Sequence, residues 1–149
     1  MAFYDASGTI APAATKTPLI LTGSATLRLA LQELLAATIG APSSEAGFQI
    51  DVRPSTAAGT STAVTPRPRN GVSVAGGTAG SNATVEPTYT AGQPLLRRQG
   101  NARNSLQWNA LQWGAEIASI AASANGFGAQ IQIPGGALTS VDVDMGWLE

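Results

Sequence analysis

The strongest constraint on the fold is a two-residue rhythm near the end of the chain, where Val141, Val143, Met145 and Trp147 alternate with Asp142, Asp144 and Gly146. Successive side chains of a β-strand point to opposite faces, so this run puts its apolar groups on one face and its acids on the other. A helix would scatter the same residues around its circumference. The rhythm recurs in Phe48, Ile50 and Val52 against Gln49, Asp51 and Arg53, with Pro54 expected to end the run. It recurs again in Leu106, Trp108 and Ala110 against Gln107 and Asn109. Ile131 and Ile133 alternate with Gln130 and Gln132 ahead of a Pro134-Gly135-Gly136 turn. Further strands are expected at residues 94–98 and 116–121. Turn signals spaced at about ten residues are the mark of an antiparallel sandwich or barrel.

Residues 18–39 admit two readings. Leu27, Leu29, Leu31, Leu35, Ala37 and Ile39 fall on odd positions and Arg28, Gln32 and Thr38 on even ones, as a half-buried strand requires. Leu27, Leu31, Leu34 and Leu35 also fit a helical stripe that Ser24 would cap. Strand is preferred because the other elements are strands. Glu33 then falls on the apolar odd face, which counts against the strand unless a bulge shifts the register. Residues 1–17, with Gly8, Pro12 and scattered Ala and Thr, read as an extended N-terminal arm. Residues 54–94 are rich in Thr, Ala, Gly and Pro, and are expected to hold short strands around 62–65 and 84–87 between long excursions. The Asn70-Gly71 pair is a turn signal. The expected fold is all-β: a jelly-roll-like antiparallel β-sandwich over residues 18–149, with long Gly/Thr/Pro-rich loops and the arm in front of it.

A chain of 149 residues suits one such domain. It has no cysteine and no histidine, and Lys16 is its one lysine. Disulfides, thiolate metal sites, and Ser-His-Asp or Cys-His mechanisms are therefore beyond a single copy. No catalytic residue, metal or cofactor is expected. The formal net charge is −1 and 11% of residues are charged, against about 25% in ordinary globular chains. That balance argues against a nucleic-acid partner, which would select for a basic field. A surface so poor in charge is suited to burial against other subunits. No run reaches the roughly 18 apolar residues that a membrane-spanning helix needs. Met1-Ala2-Phe3-Tyr4-Asp5 lacks a basic segment followed by an apolar core, so no secretion signal is expected.

Several residues stand out as candidates. Asp142 and Asp144 project from one strand face, but no further oxygen ligands lie nearby, so a solvated face outweighs a calcium site. Gly76-Gly77-Thr78-Ala79-Gly80-Ser81 has the look of a phosphate loop without its lysine, and reads as a flexible loop. Asn82-Ala83-Thr84 fits a glycosylation pattern that has no meaning without secretion. Arg67 with Arg69, and Arg97, Arg98 with Arg103, form two small basic groups suited to ion pairs between subunits or to ordinary surface charge. Trp108 and Trp147 fall on apolar strand faces and are expected in the core. Trp113, before Gly114, is equally suited to an interface.

Three stretches carry a resemblance to a known group. They are the run from Thr56 to Pro66 (TAAGTSTAVTP), the segment Ala83-Thr84-Val85-Glu86-Pro87-Thr88 followed by Leu95-Leu96-Arg97, and the closing Trp147-Leu148-Glu149. Together they resemble small β-sandwich virion proteins of tailed bacteriophages, of the capsid decoration or cement type. The likeness covers residues 18–149 and rests on motifs of low complexity. It implies a virion structural protein assembled in the bacterial host cytoplasm. Such a protein binds the major capsid protein or other virion subunits as a homo-oligomer, a trimer being favoured, and has no catalytic residues. Phe3 and Tyr4 in the arm, the 54–94 stretch, Arg67, Arg69, Arg97, Arg98, Arg103 and Trp113 are the expected contact residues. The alternative is a carbohydrate-recognising sandwich on a tail, fibre or host-facing surface, stacking sugars on Trp113 and Tyr89.

Overall fold

The computed structural model describes residues 2–10, 15–39, 47–71, 74–110, 116–119, 125–132 and 140–149. These residues form strands and no helix. One sheet, A, has the order Leu106–Asn109 (β10), Ala30–Thr38 (β3), Val141–Leu148 (β13), Phe3–Ile10 (β1) and Arg67–Pro68 (β6), with Ile117–Ala118 (β11) also on β3. The other, B, has the order Thr60–Val64 (β5), Thr78–Val85 (β7), Thr15–Thr22 (β2), Gly126–Gln132 (β12), Gly47–Ala57 (β4) and Thr88–Tyr89 (β8), with Leu96–Asn101 (β9) also on β4. All pairings are antiparallel, and the sheets pack face to face as a β-sandwich.

The alternating runs face each other across the core. Val141, Val143, Met145 and Trp147 of β13 are buried with Leu31, Leu34 and Ala36 of β3. Phe48, Ile50 and Val52 of β4 and Phe127, Ala129 and Ile131 of β12 come from the opposite sheet. Each such Leu, Ile or Phe contributes about 1.5–3 kcal/mol by leaving water. Trp108 packs only partly buried against this cluster, whereas Trp147 is wholly enclosed. Trp113 and Ile133 lie outside the described residues.

The N-terminal residues are not an arm. Residues 3–10 pair with β13 along their whole length, from Phe3 opposite Leu148 to Ile10 opposite Val141. Tyr4 faces Trp147 across the ladder, with ring centroids 5.9 Å apart, and is 1% exposed. Inward positions 4, 6, 8 and 10 hold Tyr, Ala, Gly and Ile, and the two small residues mask the alternation. Gly8 is small for a reason: a side-chain carbon there would collide with the carbonyl oxygen of Pro18.

Bulges decide which face a residue meets. The pairing of β13 with β3 slips between Gly146, opposite Glu33, and Trp147, opposite Leu31. This bulge removes the objection that Glu33 raised to a strand, and it reverses the faces beyond it. Leu34 and Ala36 turn inward, and Leu35 is left exposed. A second slip, between Ala129 and Ile131 on β12, falls opposite the Thr17-Pro18 step of β2. A bulge is where an interior strand tolerates proline.

Pro54 does not end β4, which runs on to Ala57. Much of residues 54–94 is a ribbon instead of an excursion: Ser55 pairs with Tyr89, Ala57 with Thr88, Thr60 with Val85 and Val64 with Ala79. The Gly76–Ser81 run is strand from Thr78 onward. Asn82 sits at the register shift with φ of 51°, a left-handed conformation that asparagine adopts more readily than most residues. From the ribbon, Tyr89 reaches over the outer face of sheet B to Thr17, with the two hydroxyl oxygens 2.6 Å apart. Gly128 leaves room for that phenol; a side-chain carbon there would strike it. With Ile20 and Ala83 buried outside the main core, both faces of β2 are covered.

Candidate functional site

The outer face of sheet A gathers charges that are far apart in sequence. Asp5 of β1 lies opposite Arg67 of β6 in the ladder. Arg67 Nε donates to Asp5 Oδ1 at 2.9 Å, and Arg69 Nε donates to Asp5 Oδ2 at 3.0 Å. Arg69 Nη1 donates to Glu33 Oε2 at 2.7 Å, and its guanidinium lies 4.9 Å from the centre of the Phe3 ring. The bond to Asp5 is the main reason the Arg69 pKa is raised, outweighing the effect of burial. Next to this group, Thr9 donates to Asp142 Oδ1 at 2.7 Å. The Asp144 carboxyl is held above its ordinary range, first by burial and then by the charge of Asp142. A recess of about 220 Å³ opens between Glu33, Arg69, Gln107, Asn109 and Asp144. Its carboxylates belong to a charge-paired surface, and the described residues contain no group of three or more acids placed to hold a metal ion.

Arg97 and Arg98 of the second basic group lie on sheet B, and Arg103 lies in the turn after β9. Arg97 of β9 is directly opposite Asp51 of β4. It donates from Nε and Nη2 to the two carboxylate oxygens, at 2.8 and 2.7 Å. Asp51 is 1% exposed, so Arg97 is the cation that makes burial of that acid tolerable. The same bond raises the Arg97 pKa. Arg98 is exposed and donates to the Arg97 carbonyl. The Arg103 backbone N–H caps the turn by bonding Asn101 Oδ1.

The structure therefore brings Phe3, Arg67 and Arg69 together, sets Arg97 and Arg98 on a different sheet with Arg103 in the turn that follows, and removes Tyr4 into the core. Arg67, Arg69 and Arg97 form their ion pairs within the chain, whereas pairs between subunits were one of the two readings of the sequence. Tyr89, offered above as a sugar-stacking platform, spends its hydroxyl on Thr17 and lies 5.4 Å beneath the Arg53 guanidinium. Burial is the main cause that raises its pKa.

Sequence reasoning missed two features. The first is the Gly76-Gly77 turn, which does hold an anion, namely the side chain of Glu149. Gly76 N–H and Gly77 N–H donate to its two carboxylate oxygens at 2.8 and 3.0 Å, and Trp147 Nε1 donates at 3.1 Å. The loop's glycines were a usable signal; the anion's identity was not. The second is the rims. Three carry features that discourage strand pairing: β6 has Arg67 and Pro68, β9 has Arg97 and Arg98, and β8 is two residues long. In β5, Thr60-Ser61-Thr62-Ala63-Val64 carries neither charge nor proline, and Thr60, Thr62 and Ala63 are exposed. The other uncharged rims among the described residues, β10 and β11, are shorter, at four and two residues. The described residues include no helix long and apolar enough to cross a membrane. No family model and no curated protein matches the sequence.

Proposed function

We propose that the chain is a non-enzymatic structural subunit of a virion, of the capsid decoration type. It would bind the assembled head of a tailed bacteriophage, through the major capsid protein or neighbouring virion subunits. The observation that carries this reading is the uncharged β5 rim on a molecule with few charges, four of whose eight cations are paired with its own acids among the described residues. An unguarded rim presents unpaired N–H and C=O groups to another strand and carries nothing that repels one. The lack of histidine and cysteine and the resemblance of the Thr56–Pro66 and Ala83–Thr88 runs to virion proteins point the same way. A subunit of this kind acts by mass action: it stabilises the assembled shell because it binds that form and not the free parts. Contacts that are individually weak suffice when many copies act on one shell. The test is electron cryo-microscopy and heat challenge of particles assembled with and without this chain. Regularly spaced copies on the shell, and earlier rupture without them, are expected. Particles of unchanged composition and heat resistance would overturn the proposal.

A further inference from the structure

We propose that two copies of this chain pair through β5, antiparallel about a two-fold axis at Thr62. The inference rests on the structural-subunit reading and names one of its partners.

The ladder that β5 can offer is bounded. Gly59, with φ of 71°, turns the chain immediately before it, and Pro66, which has no N–H, lies just beyond it. Between them are five residues, Thr60–Val64. In the antiparallel register centred on Thr62, Thr60 meets Val64, Ser61 meets Ala63, and Thr62 meets its own counterpart. No charge faces a like charge anywhere in this register. Thr–Thr and Thr–Val are pairs that favour a ladder. The same edge thus serves as both partners, which is what an isologous contact requires, and pairing uses the rim up. A closed dimer explains how an unguarded rim persists without open-ended strand addition. Ser61 lies against Gly80 on the outer face of sheet B, beside Ile20, where a side-chain carbon at Gly80 would collide with its hydroxyl oxygen. Thr62 is exposed, so its side chain is available to read the partner.

A ladder of this length buries little surface, so the solution dimer is weak, and it is two-fold where a trimer was anticipated. The test is sedimentation equilibrium of the full chain over a wide concentration range, for wild type, Thr62→Lys, Thr62→Asp and an equimolar mixture of the two variants. Wild type is expected to dimerise reversibly. Each variant sets like charges face to face and should weaken the dimer by roughly tenfold or more. The mixture should recover it, because Lys then faces Asp. Unchanged thermal unfolding of the variants shows that the fold is not at issue. A wild-type chain that stays monomeric, a Thr62→Lys chain that dimerises as tightly as wild type, or a mixture no tighter than its components would overturn the proposal. Attachment to particles is read separately. A monomer that still decorates them sinks the pairing and spares the decoration reading, and a dimer that never decorates them does the reverse.

Discussion

Replacing Glu149 by Ala tests the anion-holding turn most sharply. The Glu149 backbone also pairs with Ala2 in both directions, at 3.0 and 3.1 Å, so the side chain and the ladder together fasten the end of β13 to the start of β1. Alanine removes one carboxylate and leaves three donors: Gly76 N–H, Gly77 N–H and Trp147 Nε1–H. The glycine amides lie near the surface and regain water at small cost. Trp147 is 0% exposed, and stranding a buried N–H costs about 1–3 kcal/mol. With the weaker amide bonds added, the loss is about 2–3 kcal/mol. In a domain of this size each kcal/mol shifts Tm by about 2–4 °C, which gives a fall of roughly 4–12 °C. Glu149→Gln keeps the shape and one acceptor but turns an NH2 toward one of the donors, so it should fall between wild type and alanine. Urea unfolding followed by tryptophan fluorescence checks the order, with the midpoint moving and the slope constant. Amide exchange at Gly76 and Gly77 should quicken in both variants. If Glu149→Ala lies within about 0.5 kcal/mol of wild type, the usual scatter of neutral surface changes, the turn contributes nothing and the reasoning fails.

Two further perturbations probe the outer faces. Gly128→Ala should destabilise by about 1–3 kcal/mol through overpacking against Tyr89; Tyr89→Phe in the same chain should recover part of that loss, and an additive double-mutant cycle would refute the contact. Asp144→Asn should stabilise at neutral pH. Its raised folded pKa means that the folded state binds the proton more tightly than the unfolded chain does. Stability therefore falls as pH rises from the ordinary carboxylate value through the folded one. The gain from Asn should be below about 1 kcal/mol, since the group is partly solvated, and should vanish in acid below about pH 4; a gain that persisted there would point to packing instead of charge.

What could be read in advance was local parity, and what could not was everything that depends on a partner distant in sequence. Strands β4, β10 and β13 and the Gln130–Gln132 end of β12 announce themselves because their inward side chains are large and their outward ones polar; the Gly126–Ala129 half of β12, with small residues on both faces, does not. β1 hides because Ala6 and Gly8 are inward and small, and the need for smallness at Gly8 comes from the Pro18 carbonyl of another sheet. In β3 the odd-face rule holds to Leu31 and fails from Leu34 on. Glu33 marked where a slip was needed, but which side chains crossed over depended on the pairing with Gly146 and Trp147. The arginines show the same limit. Arg67 and Arg97 read as surface cations until β6 and β9 are laid beside β1 and β4, where each meets an acid across the ladder. That pairing bears directly on the rims. With Arg67, Arg69, Arg97 and Lys16 each within ion-pair distance of an acid of the same chain, the low charge content leaves few residues to guard an edge. Two rims carry arginine as a by-product of those internal pairs. β5 ends just ahead of Arg67 and takes part in none of those pairs, and its Thr, Ser, Ala and Val accord with the same low charge content that suggested a molecule suited to lie against neighbours.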